Sequence, residues 1–446
     1  MEFGFFVGCV IPYRLPNMEV TARKVLENLG VELHEIKGAT CCPDPIAIKT
    51  TGEESYLLTA ARNLCLAESQ GLDILTPCNG CYETLKSVNS RLRLDRTLVK
   101  NLNKALSKIG LEYKGTVEVK HLVELLYKDI GAGKIQRSVV RPLNGLNVAV
   151  HYGCHLLRPS NALFFDDPLN PVSVDRLVEW IGARSVKYDD KMLCCGGAIS
   201  LVNREDSMSL VRQKVSAIQK VGADCLVVVC PYCMLQYDLG QFLLKREEPK
   251  TWTPVFYYPE LLALAMGIDL GETELSMHKI DVKQVLAKIS RKREEFQRVS
   301  ELFDVNFLRK CIECQACSED CPMARFYDVD LKEILSKLLD GDLESVLHRR
   351  EPWYCLSCYT CLELCPQRIG LADIFLKIKH LATDKGILPE GIRKVRDKFL
   401  ASGMTVDRTS VMRKKLGLPD LSEPNVKDMH KLLENKKGLV SKHEVE

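Results

Sequence analysis

The stretch CLVVVCPYC, residues 225–233, decides the fold, because an uninterrupted apolar run leads directly into a Cys-x-x-Cys pair. The same arrangement occurs earlier as DILTPCNGC, residues 73–81. Short apolar runs bounded by turn residues are typical of parallel strands that are covered on both faces. Each Cys-x-x-Cys pair is therefore predicted to begin where a buried strand ends.

Each of these pairs closes a longer cysteine pattern, in which one cysteine is followed by two adjacent cysteines and then by Cys-x-x-Cys. The first set is Cys9, Cys41, Cys42, Cys78 and Cys81. The second set is Cys154, Cys194, Cys195, Cys230 and Cys233. Because the same order recurs at nearly the same spacing, the first half of the chain is predicted to be an internal duplication.

Strands and helices are predicted to alternate in both copies. Besides the two apolar runs, strands are predicted at residues 3–8, 31–36 and 146–151. Apolar residues at helical spacing predict helices over 17–29, which ends at Gly30, over 55–70 and over 206–221. This alternation favours an α/β fold with parallel strands, whose ligands lie beyond the carboxyl ends of the strands. The five thiols of each set are expected to converge there.

A second cysteine pattern, C-x2-C-x2-C-x3-C-P, occurs twice near the C-terminus, and we call its members the dicluster cysteines. They are Cys311, Cys314, Cys317 and Cys321, and then Cys355, Cys358, Cys361 and Cys365. In the bacterial ferredoxin run the fourth cysteine binds the other cluster. The pattern therefore predicts two [4Fe–4S] cubanes, one held by Cys311, Cys314, Cys317 and Cys365 and one by Cys321, Cys355, Cys358 and Cys361. Zinc is the alternative, but this spacing twice, each time followed by proline, favours iron.

Five segments are predicted along the chain: a first cysteine-rich domain, a second one, a helical linker, a mainly α-helical ferredoxin-like domain with two cubanes, and a basic helical tail. Their limits are 1–145, 146–270, 271–304, 305–383 and 384–446. The last residues, 435–446, are predicted to be loose.

Composition excludes several classes of protein. The net charge of +3 does not suggest nucleic-acid binding, and the hydrophobic content of 46% is that of a globular protein. No apolar stretch reaches the roughly 20 residues that span a bilayer. The start is interpreted as a strand and not as a signal peptide. Secreted domains rich in disulfides are usually short, whereas this chain is long and has an ample core. We therefore expect a cytoplasmic protein whose reduced cysteines bind metal.

The cysteine-rich pattern resembles the CCG motif of the B-type subunit of heterodisulfide reductase. The two gaps inside the motif are 31 and 35 residues in the first copy and 39 and 34 in the second, the last being one shorter than the family's range. The first copy also has Cys-Cys-Pro where the second has Cys-Cys-Gly. Residues 1 to about 270 resemble the B-type subunit, and the remainder resembles the C-type subunit, the carrier with two cubanes. The order of the parts resembles a fusion of the two.

This resemblance implies that each set of five cysteines holds a noncubane [4Fe–4S] cluster. It implies that the substrate is the mixed disulfide of coenzyme M and coenzyme B, the electron acceptor of methanogenesis, which is reduced to two thiols between the clusters. The two cubanes would relay electrons from a flavin-containing partner resembling the family's A-type subunit, which is fed by a hydrogenase or formate dehydrogenase. FAD is expected on that partner, because GAGK at residues 131–134 is not a dinucleotide-binding fingerprint.

Two other functions stay open from the residues: a related reductase of another disulfide, and an iron–sulfur subunit that only transfers electrons within a dehydrogenase complex. Because the resembled family's substrate carries a sulfonate and a phosphate, the cations His155, Arg158 and Lys191 are candidates for contacting it. His155 and Lys191 are weak catalytic candidates, and His151 and His155 could supply protons. Ordinary surface packing or packing behind the cluster ligands is the favoured interpretation of each of these residues. Cys65 and Cys225 are predicted to be buried structural thiols.

Overall fold

A computed structural model describes residues 1–244, 252–311, 314–327, 330–419 and 421–434, except the side chains of Glu272, Thr273 and Glu434. The chain divides into two compact units, Met1–Glu295 and Phe296–Glu446. The segment predicted to be loose, 435–446, lies outside the described residues. The finer division into five segments stays a prediction.

The first unit contains two four-stranded sheets in which every neighbouring pair of strands is parallel. The first sheet has the order β2-β1-β3-β4, with β1 Glu2–Phe5, β2 Glu32–Glu35, β3 Ile74–Thr76 and β4 Val119–His121. The second has the order β6-β5-β7-β8, with β5 Asn147–His151, β6 Arg184–Val186, β7 Cys225–Val228 and β8 Val255–Tyr257. The predicted duplicated α/β fold is confirmed.

The central strands are buried and end level with each other. In the second sheet Val148 lies opposite Cys225 and His151 lies opposite Val228. All four residues of β7 are buried, as the apolar run predicted. Because parallel strands end at the same edge, the loops that carry the cysteines leave each sheet on one side.

Helices connect the strands of the first unit. In the first half they are Val10–Arg14, Pro16–Asn28, Ala47–Thr51, Glu53–Ser69, Asn79–Leu94, Arg96–Leu106, Leu122–Glu124 and Gly131–Ser138. In the second half they are Ser160–Leu163, Ser173–Trp180, Arg204–Lys220, Pro231–Met234, Gly240–Leu244, Tyr258–Met266 and Glu272–Ser276. Short 3₁₀ or π turns lie at Ser107–Ile109, Leu125–Ile130, Cys154–Leu156, Ile199–Leu201 and Leu235–Leu239. The helix Pro16–Asn28 is followed by Gly30 in the left-handed region, as its sequence predicted.

The second unit is mainly helical, as predicted, and its described part contains no strand. A long helix, Lys283–Leu302, begins in the first unit and ends in the second. The helices that follow are Val305–Leu308, Ala316–Glu319, Leu331–Leu339, Leu343–Leu347, Glu351–Tyr354, Thr360–Leu364, Leu371–Asp384, Glu390–Ser402, Val411–Lys415 and Val426–Glu434, with a 3₁₀ turn at Pro322–Arg325. Within the described residues, none of the helices combines the length and the apolar character needed to cross a bilayer.

Candidate metal centres

All ten cysteines of the first and second sets line one cavity of about 180 Å³ in the first unit. The prediction from the strand ends was that each set of five would converge. The structure brings the two sets together as well, so that both face the same space. None of the ten forms a disulfide.

Within the first set the thiols form a continuous chain of contacts. The Sγ atoms of Cys9 and Cys41 are 3.6 Å apart. Cys42 is hydrogen-bonded to both Cys41 and Cys81, and Cys81 contacts Cys78.

The second set repeats this chain and joins it to the first. Cys194 is hydrogen-bonded to Cys154 and Cys195, Cys195 contacts Cys233, and Cys233 contacts Cys230. The bridge between the sets is a contact between Cys78 and Cys230. Ten thiols therefore follow one another without a break across the boundary between the two sheets.

Two glycines that sequence reasoning did not single out allow this approach. Gly8 and Gly153 each precede the first cysteine of a set, and both have positive φ, +69° and +74°. A Cβ on Gly8 would lie 2.7 Å from the Sγ of Cys81, and one on Gly153 would lie 3.3 Å from the Sγ of Cys233 and collide with Asn79. The repeated Gly-Cys dipeptide is the sequence signal that could have identified them.

Helix N-termini hold the first cysteine of each Cys-x-x-Cys pair. Cys78 is the N-cap of the helix Asn79–Leu94, and Cys230 is the N-cap of Pro231–Met234. The positive end of a helix dipole favours a thiolate over a thiol. Hydrogen bonds from Cys233 and Cys78 lower the pKa of Cys230 well below its usual value, whereas the contact with Cys230 raises the pKa of Cys78, so the thiolate is favoured at Cys230. Asn79 also ties the two halves together, since its Nδ2 donates to the carbonyl oxygen of Tyr152 at 2.8 Å.

The thiols share negative charge unequally. Hydrogen bonds from Cys41 and Cys81 lower the pKa of Cys42 to about 5. Hydrogen bonds from Cys154 and Cys195 lower the pKa of Cys194 to about 2. One member of each adjacent pair is thus held as a thiolate by its neighbours. Ten unbridged sulfur ligands, with stabilised thiolates in each set, fit soft metal ions such as iron, and clusters of iron in particular.

The three cationic side chains that were candidates for contacting the substrate lie in different surroundings. His155 lines the cavity. Lys191 forms an ion pair with Asp175, at 2.6 Å, and lies over the ring of Tyr152. The Nε of Arg158 is buried without a hydrogen-bond partner among the described protein atoms. The assigned roles of these three stay predictions.

His151 is buried beneath the second set. Its ring nitrogen and the Sγ atoms of Cys195 and Cys233 all lie within 4.8 Å of one another, and neither ring nitrogen has a hydrogen-bond partner in the part of the chain that the structure describes. Burial lowers the pKa of His151 to about 3. The ring is therefore neutral near pH 7, with one N–H free to donate to a sulfur ligand.

The two cysteines outside both patterns are buried, as predicted. Cys65 lies in the helix Glu53–Ser69, where burial raises its pKa to about 12, and Cys225 begins β7. Neither lines the ten-cysteine cavity.

The dicluster cysteines surround two separate small cavities in the second unit. One is lined by Cys311, Cys314, Cys317 and Cys365, and the other by Cys321, Cys355, Cys358 and Cys361. In each cavity the fourth cysteine comes from the other repeat, the exchange that the ferredoxin pattern implies.

The two loops also share a backbone feature. Gln315 and Tyr359, each directly after the second cysteine of its repeat, have positive φ of 65° and 59°. This conformation is uncommon for residues other than glycine, and its repetition at matched positions shows that both loops turn in the same way beside their cavities.

Comparison with known proteins agrees with this arrangement. Residues 3–86 and 148–238 match the CCG family, described as a cysteine-rich domain, and residues 307–369 match the 4Fe-4S dicluster domain. The B-type subunit of a CoB-CoM heterodisulfide reductase from Methanosarcina acetivorans is 40% identical over 65% of this chain and 97% of its own length. A membrane anchor subunit of 8-methylmenaquinol:fumarate reductase from Wolinella succinogenes is 32% identical over 64% of this chain and 99% of its own length.

The second unit has a relative of its own. A C-type iron-sulfur subunit of the CoB–CoM heterodisulfide reductase from Methanocaldococcus jannaschii is 32% identical over 30% of this chain and 74% of its own length. Fold and cysteines thus define an iron–sulfur oxidoreductase subunit with duplicated cysteine-rich domains and a dicluster domain that implies two [4Fe–4S] cubanes. The chain belongs to the family of heterodisulfide reductase B-type subunits, with a C-terminal part similar to the C-type subunit.

Proposed function

We propose that this chain is the catalytic subunit of a reductase that splits the coenzyme M–coenzyme B heterodisulfide into two thiols. The observation that carries the proposal is the single cavity shared by the first and second sets. Two groups of five thiols that line one space suit a substrate whose two sulfur atoms must be reduced together. The relationship to the B-type subunit of heterodisulfide reductase supports the choice of substrate.

In this proposal the first and second sets each hold a noncubane [4Fe–4S] cluster, and the two dicluster cavities hold the cubanes in the exchanged arrangement described above. The clusters, when bound, supply one electron each to the disulfide. The balance is two electrons and two protons taken up, one S–S bond broken and two S–H bonds formed.

The residues of the chain control access and protons around this reaction. Among the cysteines that line the cavity, Cys9 and Cys194 are exposed, whereas Cys78 and Cys230 are buried. Because one exposed cysteine belongs to each set, a disulfide that enters from the exposed side would meet both sets. His155 lines the same space and can hold a proton for a departing thiolate.

The electron supply is part of the proposal. The cubanes of the second unit would pass electrons to the cavity, from a flavin-containing partner similar to the family's A-type subunit that takes them from a hydrogenase or formate dehydrogenase. The presence of parts similar to the B-type and C-type subunits in one chain supports this, because it supplies acceptor and carrier in equal number.

A second candidate is the reduction of a different disulfide, one with an uncharged, apolar arm. A neighbouring cavity of about 540 Å³ shares Cys41, Asp44 and Tyr232 with the ten-cysteine cavity. Its described lining includes Ile46, Leu201 and other apolar residues, and no lysine or arginine. Such a surface favours an apolar group over a sulfonate or phosphate.

The proposal is tested by replacing one thiol of the second set. Cys195→Ser should abolish disulfide reduction, because the hard hydroxyl is a poor ligand for iron, while both cubane signals stay reducible by dithionite. The control is Cys65→Ala, which removes a buried thiol from the same unit without touching the cavity. Retained turnover in Cys195→Ser would contradict the proposal.

A further inference from the structure

The internal duplication allows the surroundings of the two cysteine sets to be compared position by position. The helices Glu53–Ser69 and Arg204–Lys220 are both 17 residues long and precede the central strands β3 and β7. Asn63 and Lys214 each stand ten residues after the first residue of their helix. Both side chains are fully buried. The same place in the fold is thus neutral in the first half and cationic in the second.

Asn63 and Lys214 anchor the same loop in the two halves. Asn63 accepts from the backbone N–H of Thr40 at 3.1 Å and donates to the carbonyl oxygen of Cys41 at 2.9 Å. The ammonium of Lys214 donates to the carbonyl oxygens of Asp190 and Lys191, the latter at 2.8 Å. Both loops lead into an adjacent cysteine pair, although Asn63 is bonded at the pair itself and Lys214 is bonded three and four residues before Cys194. The two matched side chains therefore anchor the same loop, and one of them brings a positive charge.

The positive charge of Lys214 is buried. Burial lowers its pKa to about 8, against the opposing electrostatic effect of the sulfur atoms of the second set and of the Asp190 carboxylate, so the ammonium is protonated at neutral pH. The carboxylate of Asp190 is exposed and is engaged by Gln213. Water therefore screens the nearest negative side chain more than it screens the ammonium.

A second matched position differs in the opposite sense. Asp44 and Gly197 each stand two residues after the second cysteine of the adjacent pair, and both line the ten-cysteine cavity. The Asp44 carboxylate accepts from the N–H groups of Ile46 and Ala47 at 2.9 and 2.6 Å. The first set therefore has a fixed negative charge where the second has none.

A third matched position differs in hydrogen bonding. Phe6 and His151 each stand three residues before the first cysteine of their set, and both are 2% exposed. The imidazole of His151 lies against the sulfur atoms of the second set with an N–H to donate, and a phenyl ring cannot donate.

All three differences favour additional negative charge at the second set over the first set. A cluster gains one negative charge on reduction, and nearby cations and N–H donors to its sulfur atoms raise its reduction potential, whereas a carboxylate lowers it. We propose that the second set holds the noncubane cluster of higher potential, and that Lys214 is the positioning residue that sets this order. This inference rests on the proposed occupation of both sets by clusters.

The order has a consequence for the reaction. The first electron to arrive comes to rest at the second set, and the second electron occupies the more strongly reducing first set. The two sulfur atoms of a disulfide in the cavity therefore meet sites of unequal reducing strength, although the cysteines of the two sets are matched.

The test is a redox titration of the anaerobically loaded full chain, followed by electron paramagnetic resonance, with iron determined on each sample. Lys214→Gln keeps N–H donors for the two carbonyl groups and removes the charge. It should shift the higher noncubane potential downward and leave the lower one unchanged. Lys220→Gln, at the exposed end of the same helix, is the matched control and should shift neither.

A second variant probes the other half, so that the test does not depend on the folding of one protein. Asp44→Asn should shift the lower noncubane potential upward. Each of the two variants should therefore reduce the difference between the two noncubane reduction potentials. Unchanged potentials in both, with iron near the expected about 16 atoms per chain, would overturn this inference alone. Iron near about 8 atoms would overturn the proposed function and this inference with it.

Discussion

At the residue scale, the cavity depends on two glycines, which have no side chain, as well as on the cysteines. Gly8 and Gly153 leave room for the sulfur atoms of Cys81 and Cys233 at the points where each loop turns back on its set. A Cβ at position 8 would have to displace the Sγ of Cys81, and one at position 153 would have to displace the side chain of Asn79 and would crowd the Sγ of Cys233. The positive φ adds a backbone penalty at both positions. The glycines are therefore as necessary to the site as the thiols.

Gly8→Ala should prevent assembly of the cluster proposed for the first set. We expect iron to fall from about 16 to about 12 atoms per chain, with the two cubane signals retained. The matched control is Gly110→Ala, since Gly110 has a similar φ of +73° and nothing within 4 Å of an added Cβ. The control bears the same backbone cost, on the order of 1 kcal/mol, without the collision. Full iron content in Gly8→Ala would refute the steric argument.

The cysteines could be predicted from sequence because their chemistry is expressed in spacing along the chain. Lys214, Asn79 and Asp44 could not, because their importance comes from what lies beside them in three dimensions. Lys214 is ten residues into an amphipathic helix, and its sequence neighbours give no sign that its ammonium reaches the loop at Asp190. The candidate Lys191 shows the converse, since proximity in sequence to Cys194 did not bring it to the cavity lining.

At the element scale, the strands that were predicted are the ones with distinctive apolar runs, such as β7. The strands that were missed, β4, β6 and β8, have three residues each. β3 is equally short, but it was predicted because a Cys-x-x-Cys pair follows it, and β4, β6 and β8 lack that neighbour. Segments this short have no measurable periodicity of their own, and β6, with the sequence RSV, is not apolar either. Pairing with a neighbouring strand defines them, and pairing is not visible in local sequence.

The helix Tyr258–Met266 of the first unit provides a prediction on the pH dependence of stability. Glu260, in the helix Tyr258–Met266, accepts from Asn17 of the helix Pro16–Asn28 at 3.2 Å and pairs with His278 at 3.1 Å. Burial acts to lower the pKa of His278, but the charge and hydrogen bond of Glu260 outweigh it, so the pKa is raised above 6.5. Because the folded state holds this proton more tightly, its stabilisation is complete below about pH 6.5 and is lost as pH rises through the folded-state pKa.

Replacing His278 by Gln should remove this pH dependence of the free energy of unfolding. Between pH 6 and 8.5, the free energy of urea unfolding of the loaded wild-type protein should decline, and the variant should lack this decline. His34→Gln, on the edge strand β2, is the control and should keep the decline. The same slope in wild type and His278→Gln would rule out this pair as its source.

At the scale of the whole molecule, the chain combines two kinds of cysteine site with different surroundings. The ten-cysteine cavity is shared by two sheets of one unit, and each dicluster cavity is enclosed by helices of the other unit. The duplicated sheets and the helical second unit could be predicted, because repeated motifs and periodicity act over long stretches. The merging of the two sets into one cavity could not, because it depends on contacts such as Cys78 with Cys230 between residues far apart in the chain.

The full chain should bind about 16 iron atoms and as many sulfide ions, in four clusters of four. A variant with Ser at Cys311, Cys314 and Cys317 should lose about 4 iron atoms and keep the noncubane signals, since these cysteines line a separate cavity. Anaerobic iron and sulfide analysis checks both numbers. About 8 iron atoms in the unaltered chain would mean that only the cubanes form.

The central claim is that the ten-cysteine cavity reduces a disulfide, and the most direct measurement is the anaerobic oxidation of a reduced viologen dye by the loaded protein. The account predicts rapid oxidation when the coenzyme M–coenzyme B heterodisulfide is added, with two dye molecules oxidised per disulfide and two thiols released. It predicts no such oxidation with Cys195→Ser. An absence of turnover by protein with all four clusters present, with this disulfide and with disulfides carrying apolar arms, would contradict the account.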